Sequence, residues 1–493
     1  MRTRCVLLFG LLVLSAVRGI SAGSETAGRE IWLRGKGVNG RRIPAAVGSG
    51  ASVSAEIVPC SGCHGVDGRG RPEGDVVPPA IRWTDLTRPW DAQTASGRRR
   101  KPYDESLLRR AIGLGIDSSG NTLAPIMPRY DLTREESDGL FAYLKSLGSA
   151  EPGVSDTAIT VGVFLPPPGD LAAALRAGIT TTFAGLNETA GVFGRKLELQ
   201  FANAPQRPGE LPRALKEFIE ARKPFALLSP YIAAAEFEAG AVLDQAGIPA
   251  IGALTLYPSD ASRSIFYLYS GVGGEAAALA KAVRRPPAIV FAGEANAKVA
   301  KQIGAPTSMV IDLHQTDPAK AVRVLRESGT EFVLVLCPAA AATELIEAAA
   351  AVNWKPDLLI PGSLSSAALL KTLPVKTRHA VLAFSNRPDE RSEKAGTLAS
   401  AGDAGVSHLP ARMTAVSEAR ILYEGLVRSG RELSREKFVE KLEGLYEFNT
   451  GFGPAVTFGS NRRFGVASAW LAEINVATGS LQSFKGPSPE SSK

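Results

Sequence analysis

The chain has 493 residues and a formal net charge of +7, and this length allows about three domain-sized units. Apolar residues make up 45% of the chain and charged residues 21%; these shares are typical of globular proteins and exclude wholesale disorder. The positive charge is not gathered into a basic stripe with interleaved aromatic residues, so nucleic acid is not an expected partner.

The N-terminus reads MRTRCVLLFGLLVLSAVRGISA, in which two early arginines precede an apolar run over residues 6–17 and small residues lead to Ala22. This pattern predicts a secretory signal peptide, residues 1–22, cleaved after Ala22. The apolar run is short for a membrane span, and Arg18 ends it. We therefore expect an exported, periplasmic protein with no transmembrane segment after cleavage.

Three cysteines remain after that cleavage. Cys337 lies in the apolar run EFVLVLC and is expected to be a buried small hydrophobic residue. Cys60 and Cys63 precede His64 in the order C-x-x-C-H, a pattern that attaches haem through two thiols and presents the histidine to the iron. A zinc knuckle would need two more ligands nearby. A redox dithiol would need a long helix after it, whereas the glycine-rich HGVDGRGRPEG follows here.

A sixth iron ligand is available at Met127, in NTLAPIMPRYDLT on a proline-bounded loop. A core-filling role is the alternative for this methionine. The next stretch predicts a helix, with a cap at Thr133 and apolar side chains at helical spacing from residue 140 to 147. GREIWLRG and YDESLLRRAIGLGID predict an N-terminal and a middle helix, and the two terminal helices should pack together.

This part of the chain resembles a class I monohaem cytochrome c domain, which is all-α, through CSGCHG, PAI, MPRY and LTREE…AYLKSL. The resemblance implies one covalently attached haem c. It implies thioethers at Cys60 and Cys63, axial metal ligation by His64 and Met127, and a hydrogen bond from His64 Nδ1 to the carbonyl of Pro79. A bond of that kind orients an axial histidine.

One departure from the family is a Gly/Ala/Ser-rich insertion, residues 37–55, which leaves the packing of the N-terminal helix open. If His64 and Met127 both bind iron, no position is left for substrate or oxygen. The chemistry implied is one-electron transfer with redox partner proteins, and methionine ligation raises the reduction potential.

After residue 157, short apolar runs alternate with helical stretches. The runs include AITVGVFLP, RKLELQFA, FALLSP, IPAIGA, PPAIVFAG, TSMVIDL, EFVLVLC and PDLLIPG. Strand–helix alternation favours an α/β architecture with parallel sheets. About ten such strands are too many for one compact domain, so we predict two lobes.

This part resembles the type 1 periplasmic binding proteins of the leucine/isoleucine/valine-binding kind. The carrying stretches are ITVGVFLP, NETAGVFGRKLEL, LLSPYIAAAEFEAGAVLDQAGIPAIG and YEGLVRSGRELSREKFVEKLEGLYEFNTGFGPAVTFGSNRRFG. The resemblance implies two α/β lobes joined by crossing segments, with a small-molecule ligand in the cleft between them.

The turn after the third strand departs from the amino-acid binders of that family, which hold the ligand carboxylate there with a small hydroxyl residue and free N–H groups. Here residues 229–234 read SPYIAA, in which Pro230 lacks an N–H. We therefore do not transfer amino-acid binding to this chain. If Tyr231, Tyr267 and Tyr269 line the cleft, they favour a less charged, aromatic ligand.

The remaining candidates are weaker. His314, His379 and His408 are far apart and are expected to be surface or satisfied histidines. The basic stretch GRRRKP, residues 97–102, is either a solvated face or a docking site for an acidic redox partner. No spacing typical of a catalytic site is present, so we predict an electron carrier and binding protein, not an enzyme.

The predicted organisation is a signal peptide 1–22, a cytochrome c domain 23–148, a linker 149–157, a two-lobed domain 158–486 and a disordered tail 487–493. The favoured function is an exported c-type cytochrome with a fused solute-binding domain of altered or lost specificity. The alternative is a ligand-binding receptor for an ABC-type importer, with the haem domain as passenger or redox sensor.

Overall fold

The computed structural model describes residues 24–48, 50–89, 92–93, 97–148, 151–189, 191–304, 308–385, 409–475 and 481–484. The predicted signal peptide, the predicted tail and His408 lie outside these ranges. The chain divides into two compact units between residues 151 and 152. Among the described residues, no helix combines the length and the apolar character needed to cross a membrane.

The first unit is mainly helical. Its helices are α1 (24–34), α2 (Cys60–His64), α3 (Trp83–Leu86), α4 (Glu105–Leu114) and α5 (Arg134–Ser146). Its strands are β1 (Pro44–Val47), β2 (Ala51–Ser54), β3 (Ala92–Gln93), β4 (Arg99–Arg100) and β5 (Arg129–Tyr130).

The two terminal helices of this unit, α1 and α5, pack against each other as the sequence predicts. They approach closely because glycines face each other at the crossing: a Cβ on Gly28 would lie 2.0 Å from the carbonyl oxygen of Gly139. At the start of α5, Thr133 and Glu136 form a reciprocal capping box, which satisfies two backbone N–H groups. Trp32 of α1 is 1% exposed in the resulting core.

The insertion, whose effect on packing the sequence left open, forms a β-hairpin and becomes part of the domain core. β1 pairs antiparallel with β2 and also with β5, which makes a three-stranded sheet in the order β2-β1-β5. Ile43 and Ala45 are both 0% exposed in the same apolar cluster as Trp32. The insertion therefore does not displace helix α1 from α5. It adds a small sheet to a helical domain.

The first lobe of the second unit has a six-stranded parallel sheet in the order β16-β10-β9-β8-β6-β7. Its strands are β6 (Ala158–Leu165), β7 (Lys196–Asn203), β8 (Ala226–Leu228), β9 (Ala250–Ile251), β10 (Ile265–Tyr269) and β16 (Phe464–Val466). Its helices are α6 (Asp170–Glu188), α7 (Leu211–Arg222), α8 (Glu236–Ala246), α14 (Leu409–Ser429) and α15 (Arg435–Glu443).

The second lobe has a seven-stranded sheet in the order β12-β11-β13-β14-β15-β17-β18, parallel except for its last two strand pairs. Its strands are β11 (Ala288–Phe291), β12 (Val310–Asp312), β13 (Phe332–Leu336), β14 (Asp357–Pro361), β15 (His379–Phe384), β17 (Trp470–Ile474) and β18 (Leu481–Ser483). Its helices are α9 (Gly271–Lys281), α10 (Glu294–Ile303), α11 (Pro318–Glu327), α12 (Ala339–Ala351) and α13 (Ala367–Lys376).

In the order of the described elements, successive elements belong to different lobes at three points: after β10, between β15 and α14, and between β16 and β17. The predicted fold class, a helical cytochrome c domain followed by a two-lobed α/β domain, is confirmed.

The stretch read as a linker is in part an edge of the second unit. Val154 forms a β-bridge with Ile159, and Thr160 N donates a hydrogen bond of 2.7 Å to the carbonyl of Gly153. Gly153 has a φ of +78°, and a Cβ there would lie 2.3 Å from the backbone nitrogen of Phe225. Residues 152–157 are therefore attached to the first lobe of that unit.

Candidate functional site

The haem motif lies on the short helix α2. Cys60 and Cys63 stand one turn apart on this helix, where side chains at i and i+3 share a face, and both thiols are free. Cys63 is exposed, whereas burial raises the pKa of the Cys60 thiol to about 12. His64, the last residue of the helix, is 8% exposed.

The imidazole of His64 is held by the segment that follows the glycine-rich loop. His64 Nδ1 lies 3.1 Å from the carbonyl oxygen of Pro79, so Nε2 is the nitrogen left for a metal. Burial lowers the pKa of His64, although the bond to Pro79 acts in the opposite direction. The imidazole is therefore neutral near pH 7, which is the form that binds metals.

The glycine-rich loop positions Pro79 by folding back on the helix. Gly70 N donates to the carbonyl of His64 at 2.8 Å, and Ile81 N donates to the carbonyl of Gly68 at 2.8 Å. Gly70 has a φ of +87°, and a Cβ there would lie 2.1 Å from the carbonyl oxygen of Pro78. Glycine is required at this point because the loop passes so close to the Pro78–Pro79 backbone.

Met127 is half-buried and packs, like Cys60, against the apolar cluster that forms the core of the first unit. Its loop is held from inside by Arg129, whose guanidinium donates hydrogen bonds to the carbonyls of Leu123, Ala124 and Met127. The loop that carries the predicted distal ligand is therefore ordered by its own chain.

The residues of this site fit a haem. The donor set is two thiols for covalent attachment, a neutral imidazole nitrogen and a thioether sulfur, which is the combination that binds haem iron in cytochromes c. The surrounding side chains are apolar: Leu86, Tyr103, Leu108, Ile112 and Leu123 are each no more than 9% exposed. Such a shell limits the access of solvent to a bound cofactor.

The basic stretch GRRRKP is less exposed to solvent and to partners than the sequence suggested. Neither a solvated face nor a docking site describes all of its cations. Arg98 pairs with Asp117, which is fully buried. Arg100 is 6% exposed and donates to backbone carbonyls of the α3 region. Arg99 and Lys101 are the exposed members. Two of the four cations are thus structural, because burial of an arginine requires hydrogen-bond partners.

In the second unit, the turn after β8 carries groups that could hold an anion, but it uses them internally. Ser229, at a φ of +50°, donates its hydroxyl hydrogen bond to the carboxyl group of Glu418 on α14. Glu418 is 2% exposed, and burial raises its pKa well above the ordinary value. A Cβ on Gly252 would lie 2.0 Å from Glu418 Cδ, so the acid fills the space beneath the ends of β8 and β9.

A second carboxylate occupies the turn itself. Glu236, the first residue of α8, accepts hydrogen bonds from the Thr255 hydroxyl and, at 3.2 Å, from Ala234 N. Tyr231 N and Ile232 N donate to the backbone carbonyls of Phe164 and Leu254. Donors that a ligand carboxylate would need are therefore already paired within the protein.

The second lobe repeats this arrangement. Glu275 of α9 is 1% exposed and accepts four hydrogen bonds of 2.8 to 3.0 Å from the backbone N–H groups and hydroxyls of Ser363 and Ser385. These serines follow the carboxyl ends of β14 and β15, the edge of a parallel sheet at which ligands bind in open α/β folds.

The three tyrosines proposed for the cleft do not form one exposed surface. Tyr267 is 2% exposed and packs against Phe464 with ring centroids 5.8 Å apart, so it belongs to the core. Tyr231 and Tyr269 are half-buried and pack against different apolar clusters. The condition that all three line the cleft is therefore not met, because the side chain of Tyr267 is buried in the core.

Glu236, Glu275 and Glu418 are site residues that the sequence analysis missed. A glutamate at the start of a helix looks like an ordinary favourable charge, and the other two sit in unremarkable helical sequence. Among the other predicted residues, Cys337 is 1% exposed, His314 is exposed, and His379 Nε2 lies 2.7 Å from Glu473 Oε1.

Fold and site together define a cytochrome c-like haem domain joined to a two-lobed α/β binding domain. Residues 51–148 match the family model described as Cytochrome c, and residues 158–480 match the one described as Periplasmic binding protein. The chain belongs to the periplasmic binding protein family and carries a cytochrome c domain, which implies a haem cofactor and redox partners. Both families point to a periplasmic or extracellular location. No curated protein matches the chain.

Solved structures resemble the second unit. A branched-chain amino acid ABC transporter protein from Thermus thermophilus with bound valine is 14% identical, with a TM-score of 0.52 over 69% of this chain and 98% of that chain. A putative branched-chain amino acid ABC transporter protein from Rhodospirillum rubrum is 13% identical, with a TM-score of 0.53 over 66% and 100%. A substrate-binding periplasmic protein from Ralstonia solanacearum is 21% identical, with a TM-score of 0.50 over 65% and 98%. At these identities the likeness shows the fold alone.

Proposed function

We propose that the protein is an exported c-type cytochrome that carries one electron at a time between periplasmic partner proteins. Cys60 and Cys63 hold a single haem through thioethers, and His64 and Met127 are its axial ligands. The observation that supports this most is the contact of His64 Nδ1 with the carbonyl of Pro79, 3.1 Å away. A hydrogen bond at Nδ1 fixes the tautomer and the orientation of a metal-binding imidazole.

The bound haem supplies the redox change, and the chain supplies its surroundings. His64, neutral and oriented, and Met127 would hold the iron, and the buried apolar side chains would keep water from it. A haem held by both residues would transfer electrons without binding oxygen or substrate.

Two measurements on the exported protein test this proposal. Intact-mass spectrometry is expected to show the added mass of one haem, and a reduced-minus-oxidised spectrum is expected to show the bands of a low-spin c-type cytochrome. The double variant Cys60→Ala, Cys63→Ala is the control and should carry no covalent haem. Covalent haem on that variant would place the attachment elsewhere.

The second unit, in our proposal, is a solute-binding domain that no longer accepts a free carboxylate. Three carboxyl groups of the chain occupy the donors at the carboxyl ends of its strands: Glu418 takes the hydroxyl of Ser229, Glu236 takes Ala234 N and Thr255, and Glu275 takes two serines. A ligand carboxylate there would lack partners and would face the negative charge of Glu236. Burying an unpaired charged group is strongly unfavourable.

Calorimetry with leucine, isoleucine and valine tests this specificity. No binding in the submillimolar range is expected for the native protein. Glu236→Ala frees the Ala234 N–H and the Thr255 hydroxyl. This variant should bind acetate or leucine at least about tenfold more tightly than the native protein, which corresponds to about 1.4 kcal/mol. Glu238→Ala is the matched control, since it removes an exposed carboxylate two residues further along the same helix. Equal affinities of the two variants would contradict the role of Glu236.

A second candidate is a receptor that delivers a small molecule to an ABC-type importer, with the haem domain as redox sensor. Membership of the periplasmic binding protein family favours this candidate. Submillimolar binding of a branched-chain amino acid by the native protein would support it, and would overturn the altered specificity proposed above.

A further inference from the structure

The hairpin formed by the insertion is attached to the chain directly after the proposed distal ligand. β5 begins two residues after Met127, and its two residues pair with β1 in the register Ala45 to Tyr130 and Ala46 to Arg129. The pairing continues in the bond from Asp131 N to the carbonyl of Pro44, 3.0 Å long. Hydrogen-bonded and non-bonded pairs alternate along an antiparallel ladder. Since Asp131 and Pro44 are bonded, the backbone bonds skip the next pair and recur between Ala46 and Arg129.

Arg129 continues this attachment into the loop itself. Its backbone belongs to the sheet, while its guanidinium spans the loop and donates to the carbonyls of Leu123, at 2.9 Å, and Met127. Gly115 makes room for this side chain, because a Cβ there would lie 1.8 Å from Arg129 Nε. One residue thus connects the hairpin with the backbone of Met127.

The next residue joins the same strand to the cysteine side of the site. The hydroxyl of Tyr130 donates to the carbonyl of Val58 at 2.6 Å, two residues before Cys60. The hairpin is itself anchored, since Ile43 and Ala45 are fully buried. The strand after Met127 is therefore fixed at both of its residues.

We propose that strand β1 of the hairpin and the guanidinium of Arg129 are positioning elements that hold the Met127 sulfur ready to bind the iron, and so strengthen the axial methionine bond. This inference rests on the proposed ligation by Met127. A loop that is already ordered loses little conformational entropy when its sulfur binds. In a loosened loop the sulfur is more easily displaced, and the reduction potential falls because methionine ligation raises it.

The test uses the exported holoprotein and imidazole, an external ligand that competes with the methionine for ferric iron. Two variants loosen the loop. Arg129→Gln removes the fork of hydrogen bonds, and Ala46→Pro removes the backbone N–H that faces β5, at a residue that is itself exposed. Ser52→Pro is the matched control, because Ser52 lies opposite Ala46 in β2, where the alternation directs its N–H away from β1. Arg129→Lys keeps the charge but cannot form the fork.

We expect Arg129→Gln and Ala46→Pro to bind imidazole at least about tenfold more tightly than the native protein, with a lower reduction potential. Ser52→Pro should match the native protein, and Arg129→Lys should lie between. Covalent haem content is measured for each variant, and Ala46→Pro carries the test if Arg129→Gln does not accumulate. If Arg129→Gln and Ala46→Pro keep the imidazole affinity and the reduction potential of the native protein, the inference is overturned. Absence of the sulfur-to-iron charge-transfer band from the native protein would instead refute the Met127 ligation on which it rests.

Discussion

Replacing Glu418 with glutamine is expected to remove a pH-dependent loss of stability from the second unit. The folded carboxyl has one hydroxyl partner, Ser229, and burial raises its pKa well above the ordinary value of a glutamate. Above about pH 4.5 the unfolded chain releases a proton that the folded chain retains. The unfolded state is then favoured as the pH rises, by about 1.4 kcal/mol for each pH unit until the folded carboxyl ionises.

Urea unfolding of residues 152–493 measures this effect. Between about pH 5 and about pH 7 the native fragment should lose stability relative to Glu418→Gln, because burial raises the pKa of the folded carboxyl and the unfolded carboxyl ionises first. Glutamine keeps the shape of the side chain and can still accept the Ser229 hydrogen bond. Glu238→Gln, an exposed position, serves as control and should keep the native slope. Equal slopes for the native fragment and Glu418→Gln would refute the reasoning.

Three further outcomes are expected. Gly115→Ala should lower the thermal midpoint of the haem domain, since the residue has a φ of +68° and a Cβ would overlap the side chain of Arg129; the backbone strain alone costs about 1 kcal/mol. Met127→Ala should keep covalent haem but lose the sulfur-to-iron charge-transfer band and lower the potential; an unchanged spectrum would assign the distal ligand elsewhere. Changing Arg99 and Lys101 together to glutamine should reduce the salt dependence of association with an acidic redox partner, measured as the Debye length shrinks to about 8 Å; an unchanged salt slope would make these two residues a solvated face.

The elements that sequence patterns predicted are those whose signals are local. Helix α5 is predicted by the cap at Thr133 and by the apolar spacing that follows. It begins at Arg134, directly after that cap. The hairpin of the insertion has no comparable signal, because Pro44–Val47 and Ala51–Ser54 are rich in alanine and serine. Their strand conformation comes from pairing with each other, from the pairing of β1 with β5 and from burial of Ala45, and strand formation depends strongly on such context.

The same distinction applies to the candidate sites. Cys60, Cys63 and His64 lie within one short sequence motif, so the sequence alone predicts a haem-binding role for them. That role stays a prediction. The partners Ser229 and Glu418 are 189 residues apart, and a sequence without its fold offers no means of joining them. The structural roles of Arg98 and Arg100 were not predicted for the same reason. Their buried partners, Asp117 and the carbonyls of Asp85 and Leu86, are distant in the chain.

The core position of the hairpin also limits how the haem domain can be divided. The matched cytochrome c region begins at residue 51, yet Trp32, Ile43 and Ala45 before it are each no more than 1% exposed. A fragment starting at residue 51 would leave the inner face of α5 open to water where Gly28 now meets Gly139, and would leave the strand after Met127 without its neighbour. A fragment that keeps the core of the cytochrome c domain therefore has to include helix α1, which the structure describes from residue 24.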